Sequence, residues 1–97
     1  MRIVWSPLAL DRVGEISDYI ARESVSAARN WADSIFAKVK RLERFPKSGR
    51  AVPEIRRLSI REIIHGDYRV IYRIKREQIA ILTVRHGKQE LSRRELS

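Results

Sequence analysis

Four side chains in the second half of the sequence are of types that could act together on a phosphodiester. His86 is a possible general acid or base, because the unperturbed pKa of histidine lies near neutrality. Arg61 and Arg73 would add positive charge, and Lys88 follows the histidine by two residues. RNA cleavage through the 2′-hydroxyl needs a base for that hydroxyl, cations for the developing charge and an acid for the leaving oxygen. Each residue also has a simpler interpretation, since strand arginines often only contact solvent and a turn histidine needs no chemistry.

The chain carries a large excess of positive charge. Its 21 lysines and arginines outnumber 12 acidic residues, which gives a net charge of +9. Residues 1–54 account for a net charge of +3 and residues 55–97 for +6. Because such a field attracts polyanions, we expect an anionic partner such as nucleic acid, the ribosome or an acidic protein segment.

Length and composition predict a single domain. The 97 residues suffice for one hydrophobic core, and residues 1–97 are expected to form one unit. No apolar run approaches the roughly 20 residues that span a bilayer, and the first residues do not read as a signal peptide, so we expect a cytoplasmic protein. Cysteine is absent, which excludes a disulfide framework and a zinc–cysteine site; no metal or cofactor is expected.

The first half of the chain predicts a strand and two helices. Residues 2–5 are rich in β-formers, and Ser6 and Pro7 then supply a helix cap and a first helical position. Apolar residues recur at helical spacing over residues 7–22 and again over residues 26–44. The short link between the two stripes indicates an antiparallel helical hairpin.

The second half predicts three strands joined by short turns, over residues 58–64, 68–74 and 78–85. In the middle strand, alternation places Tyr68 and Tyr72 on one face and Arg69 and Arg73 on the other, where Arg69 is expected to face solvent. We therefore expect an α+β fold of two layers: an N-terminal strand, a helical hairpin and a three-stranded antiparallel meander. The first strand should join this sheet beside one of the later strands.

Several segments, taken in order, resemble the ParE/RelE toxin superfamily along nearly the whole chain. The matching segments are residues 5–9, residues 16–21, Ala28 with Trp31, residues 42–46 with Gly49 and Arg50, and residues 60–62, 68–74 and 81–87. The resemblance implies the toxin of a bacterial type II toxin–antitoxin pair. It also implies a partner antitoxin that forms a hetero-oligomer with the toxin. The C-terminal segment of that antitoxin wraps the toxin, and its N-terminal part binds operator DNA.

The superfamily divides by target, and the resemblance implies two mechanisms. RelE-like members cut messenger RNA on the ribosome, and Arg69 matches one of their catalytic arginines; His86 and Lys88 would complete that site. They also carry a further arginine where Gln89 stands here, and a functional tyrosine in the tail that residues 87–97 lack. ParE-like members inhibit DNA gyrase by binding it. The first-helix segment 17–20 is more similar to the ParE branch, which favours a toxin that is not an enzyme.

We expect contacts with the target or the antitoxin from a set of arginines in the second half of the chain: Arg61, Arg69, Arg73, Arg85, Arg93 and Arg94. A plain nucleic-acid-binding module is the third alternative. It is disfavoured because no aromatic residues lie on the same strand face as Arg69 and Arg73 to stack bases, and no helix-turn-helix pattern is evident.

Overall fold

A computed structural model describes residues 1–87 and Glu95. Along the chain they form strand β1 (Arg2–Trp5), helices α1 (Pro7–Ala21) and α2 (Val25–Lys40), a 3₁₀ turn (Arg41–Glu43), and strands β2 (Arg50–Ala51), β3 (Ile60–His65), β4 (Tyr68–Ile74) and β5 (Gln78–His86). The strands make one sheet in the order β1-β5-β4-β3-β2. β1 is parallel to β5, and the other neighbours are antiparallel.

Serine caps start both helices where the sequence predicts them. The Ser6 hydroxyl accepts a hydrogen bond from the Ala9 amide at 3.0 Å, and it also donates one to the Leu82 carbonyl of β5 at 2.9 Å. The Ser24 hydroxyl accepts from the Ala27 amide at 3.1 Å. These bonds satisfy amides that a helix start leaves without partners. The first cap therefore also ties α1 to the sheet.

The main core lies between the helical hairpin and one side of the sheet, which we name the helix face. The hairpin and the 3₁₀ turn contribute Ala9, Val13, Ile35, Val39 and Leu42, and the sheet contributes Val70, Tyr72, Ile79, Ile81 and Val84. Each of these side chains is buried. The apolar stripes predicted from sequence thus face the sheet, and the predicted two-layer α+β fold is confirmed.

A smaller core covers the opposite side of the sheet, which we name the outer face. Ile60, Ile71 and Leu82 of this face pack against Val52 and Ile55. These two residues belong to the segment 52–57, here named the cover loop. The register between β4 and β5 shifts at this point, because Ile71 pairs with Thr83 and Tyr72 with Ile81, which leaves Leu82 as the extra residue of a bulge. The strand pattern predicted that the outer face around Arg69 is open to solvent. This prediction is wrong, because the cover loop packs against that face.

Most predicted element bounds agree with the structure to within a few residues. The second helix was predicted to end at residue 44; it ends at Lys40 and continues as the 3₁₀ turn. The strand predicted from residue 58 begins at Ile60, and the two-residue strand β2 was not predicted. The first strand joins the sheet as expected, beside β5. Within the part of the chain that the structure describes, no helix is long and apolar enough to cross a membrane.

Candidate functional site

Arg69 is buried, so the prediction that it faces solvent is wrong. Its relative exposure is 5%, although strand alternation does place it on the outer face, as predicted. Its Nη1 and Nη2 atoms donate to the two oxygens of Glu54, at 2.8 Å each, and its Nε donates to Oε1 of Glu62 at 2.7 Å. Burial here follows from the cover loop, which brings Glu54 over the strand.

The carboxylate of Glu62 is shared by two arginines. Its side chain has no solvent exposure, and its Oε2 accepts from Nε of Arg50 at 2.7 Å, opposite the bond from Arg69. The hydrogen bonds that Arg69 donates to Glu54 and Glu62 raise its pKa against the opposing effect of its burial. The four residues Arg50, Glu62, Arg69 and Glu54 therefore form one ion-pair network, which fastens the cover loop and β2 to the sheet.

The other predicted arginines are spread over both faces. Arg73 pairs in register with Ile60 and Ala80, which places it on the outer face at intermediate burial. Arg61 pairs in register with Tyr72, which places it on the helix face, and its Nη1 donates to the Gly49 carbonyl at 2.9 Å. Arg85 pairs with Arg69 on the outer face. Lys88, Arg93 and Arg94 lie outside the described residues.

His86 and Arg69 point to opposite sides of the sheet. His86 pairs with Tyr68, and Arg69 pairs with Arg85; neighbouring residues on a strand alternate in direction. The His86 ring lies edge-on to Tyr68, with centroids 5.6 Å apart, and Tyr68 in turn contacts Trp31 at 5.2 Å. Tyr68 belongs to the periphery of the main core. The register therefore places the two side chains on different faces, although both residues border one open pocket of about 330 Å³ at this end of the sheet.

Glu95, which follows the last strand by nine residues, contacts side chains of α1 and β5. Its Oε1 accepts from Nη1 of Arg85 at 3.1 Å, from the hydroxyl of Thr83 at 3.3 Å and from Nη2 of Arg12 at 3.4 Å. Glu95 is 7% exposed. No local pattern predicts this contact, because Arg12 is distant from Glu95 in sequence.

An open groove lies beside the end of α2, with a volume of about 690 Å³. Phe45, Pro46 and Ile63 give it apolar walls, and basic side chains border it. Its full lining consists of Lys38, Arg41, Phe45, Pro46, Lys47, Ser48 and Ile63. Phe45 is 58% exposed, which is unusual for so large an apolar side chain. The groove was not predicted from the sequence. The signal for it was the apolar pair Phe45 and Pro46 just after the second helix.

No group of three potential metal ligands (His, Cys, Asp or Glu) comes together among residues 1–87 and Glu95. The cationic side chains exposed near the outer face include Arg56 and Arg57 of the cover loop. The sequence analysis did not select these two residues.

Comparisons with known proteins agree with this architecture. Residues 3–91 match the family model of the ParE toxin of the type II toxin–antitoxin system parDE. The chain is 38% identical over 91 residues to a protein of Sinorhizobium fredii described as "Putative toxin Y4kP", which covers 92% of this chain and 91% of that protein. It also has the fold of a chain in the solved structure "Chromosomal ParDE TA system from P. aeruginosa", with a TM-score of 0.76, 21% identity, and coverage of 91% of this chain and 97% of that one. On this evidence the chain belongs to the ParE family of toxins of type II toxin–antitoxin systems.

Proposed function

We propose that this ParE-family toxin acts by binding DNA gyrase, and that it does not cut RNA. The observation that carries the proposal is the state of Arg69, whose three guanidinium nitrogens contact the carboxylates of Glu54 and Glu62. A guanidinium paired in this way attracts a phosphate only weakly, because the two carboxylates compensate its charge and occupy its hydrogen-bond donors.

The placement of His86 supports the same conclusion. A general acid or base must reach the proton that it transfers, within about 3 Å or through one water molecule. His86 lies against Tyr68 on the helix face, whereas Arg69 lies on the outer face. Both residues border one open pocket at the end of the sheet, but the Arg69 guanidinium is held by Glu54 and Glu62, and the His86 ring lies against Tyr68.

Binding to a large target fits the charge of the outer face. We propose that Arg73 and Arg85 of the outer face contact the target or the antitoxin, and that Arg69 supports this face from beneath. We propose the same contacts for Arg61, which lies on the other face of β3, and for Arg93 and Arg94. A protein target matches a face that carries charge and no stack of aromatic side chains. A gyrase target would place the toxin in the cytoplasm.

The antitoxin is the partner that a type II toxin implies. We propose that its C-terminal segment occupies the groove lined by Phe45, Pro46 and Ile63 and that acidic side chains of that segment meet Lys38 and Arg41 on the border. An apolar floor with a basic border suits an acidic amphipathic segment that folds on binding. The resulting assembly is a hetero-oligomer that contacts operator DNA only through the antitoxin.

The test compares two assays on one purified protein. We expect inhibition of DNA supercoiling by gyrase and no cleavage of messenger RNA in a translating extract. The variant His86→Gln serves as control in the extract, because it removes the candidate general acid or base and leaves the ion-pair network of Arg69 intact. Message cleavage that His86→Gln abolishes, with supercoiling unaffected by the wild-type chain, would establish the RelE-like alternative.

A further inference from the structure

One carboxylate oxygen of the chain binds two arginines and a hydroxyl at the end of β5. Arg12 reaches Oε1 of Glu95 from α1, while Thr83 and Arg85 reach it from the outer face of β5. The side chains of Arg12 and Arg85 are 29% and 22% exposed, whereas Thr83 is fully buried. The structure therefore already shows the chemistry that this position selects: a carboxylate held by two cations and a neutral donor.

The residues that bind Glu95 are accessible because β5 extends beyond β1, its neighbour on one side. β1 pairs with β5 only from Gln78 to Ile81. From Leu82 onwards, no strand within residues 1–87 pairs with that edge, and α1 runs beside it instead. A cleft of about 250 Å³ opens there, bordered by Arg12 and Arg85 and lined further by Glu15, Ile16, Tyr19, Tyr68, Val84 and His86. Nη1 of Arg12 also donates to Oε2 of Glu15 at 3.0 Å, so it is Nη2 of Arg12 that faces Glu95. Tyr19 is 66% exposed.

We propose that Arg12, Thr83 and Arg85 form a carboxylate-binding site, which Glu95 fills in the free chain and an acidic side chain of a partner peptide segment fills in its place. The cleft next to the site defines the partner further. Its aromatic and aliphatic lining would take an apolar side chain adjacent to the acidic one. The partner is thus a peptide segment with acidic and apolar residues side by side, and the inference does not depend on gyrase as the target.

The energetics allow such an exchange. Arg12 and Arg85 are partly exposed, so their ion pairs with Glu95 are individually weak. What favours Glu95 is attachment to the same chain, which gives it an effective concentration of the order of millimolar. A free carboxylate competes poorly against that concentration, whereas a peptide that also fills the cleft has additional contacts. Removal of the Glu95 charge should therefore strengthen binding of the peptide.

The experiment measures binding of a short fluorescent peptide of alternating glutamate and tyrosine to the full chain at low salt. We expect Glu95→Gln to bind the peptide about three- to tenfold more tightly than the wild type. Glu90→Gln is the matched control, because it removes the same charge from the same stretch of sequence; it should leave the affinity unchanged. Adding Arg85→Gln to Glu95→Gln should abolish the gain.

A second measurement uses the wild-type chain and so does not depend on how the variants fold. The NMR signals of the Arg12 and Arg85 Nε–H groups should shift as the peptide is added, and the signal of the exposed Arg29 on α2 should not. Equal affinities of the wild type and Glu95→Gln would overturn the proposal. So would an equal gain from Glu90→Gln, or a gain seen only with an oligothymidylate of the same charge, which would indicate a nucleic-acid site.

Discussion

Glu62 is a carboxylate without solvent exposure, and its charge is tolerated because two arginines hold it. Burial of an unpaired charge costs several kcal/mol. Each arginine therefore stabilises the protein mainly because it keeps the Glu62 carboxylate from being buried without a partner. Arg69 is itself almost fully buried, and Arg50 is largely exposed at the surface. The two arginines should therefore differ strongly in their contribution to stability.

We predict that Arg69→Met destabilises the protein by about 3 kcal/mol, because it leaves Glu62 buried with only one partner. Arg50→Met is the matched control; it should cost about 1 kcal/mol or less, since its side chain is 62% exposed. Urea denaturation of both variants measures the difference. Equal losses would mean that the network is not the cause.

His65 should make stability depend on pH. Burial, and to a smaller extent the charge of Lys38, lowers the pKa of this histidine. Because the unfolded chain then takes up a proton more readily than the folded one, the neutral histidine contributes stability above about pH 6.5. That contribution is lost as the pH falls through the lowered pKa of the folded state.

The prediction is that unfolding free energy falls less steeply between about pH 7 and pH 5 in His65→Gln than in the wild type. Lys38→Gln should show an intermediate slope, because it removes only the smaller cause. Denaturant titrations at several pH values give the slopes. A wild-type slope in His65→Gln would contradict the assignment.

Alternation of residues placed Arg69 and Arg73 on the correct face of β4, and it failed only on what covers that face. Glu62 pairs in register with Ile71 and reaches Arg69 from the next strand. Glu54 arrives from a loop 15 residues away. Sequence patterns report the direction of a side chain but not which distant carboxylate meets it, so the ion-pair network could not be predicted.

At the scale of elements, the helix caps differ in what they join. Ser6 caps α1 and also bonds to β5, whereas Ser24 caps α2 at an exposed position. We predict that Ser6→Ala costs about 2 kcal/mol and Ser24→Ala about 1 kcal/mol, since only the first change also breaks a bond to the sheet. Thermal unfolding of both variants tests this, and a larger loss from Ser24→Ala would refute it.

The segment before β2 passes very close to the sheet at Gly49. A Cβ atom built on this residue would lie 2.4 Å from the Tyr72 hydroxyl and 2.6 Å from the Glu62 carbonyl. Tyr72 is fixed there, because its hydroxyl accepts from the Gly49 amide and donates to the Pro46 carbonyl. The backbone neighbour at Glu62 also has no room to move.

Gly49→Ala should therefore destabilise the protein by about 2 kcal/mol or more through overpacking. Gly14→Ala in α1 is the matched control, because a Cβ there meets nothing within 4 Å. That change should instead stabilise the protein by about 1 kcal/mol, the usual gain of alanine over glycine in a helix. Chemical denaturation distinguishes the opposite signs.

The helices and the long strands were predictable because each carries a repeated pattern over many residues. β2 has only two residues, and the cover loop has no periodicity. Both owe their position to Val52, Ile55 and the ion-pair network. Their placement therefore depends on the assembled sheet, which no local pattern describes.

At the scale of the whole molecule, the groove beside α2 is the apolar feature that a partner is expected to cover. Phe45→Glu should weaken binding of the antitoxin by at least about tenfold, as expected for an aromatic anchor at an interface. Leu58→Glu is the control, since Leu58 is 83% exposed and lies away from the groove lining. Co-purification and titration measure both; equal affinities for the two variants would remove the groove from the proposed interface.

The pairing of β1 with β5 brings Arg2–Trp5 beside Gln78–Ile81, so β1 has no strand to pair with until β5 has been synthesised. Contacts between such distant segments form late and slow the search for the native state. During synthesis, the edge of β1 and the apolar stripe of the hairpin have no sheet to cover until β5 leaves the ribosome. The first half of the sequence therefore cannot complete its fold alone, and it exposes apolar surface until β4 and β5 have been made.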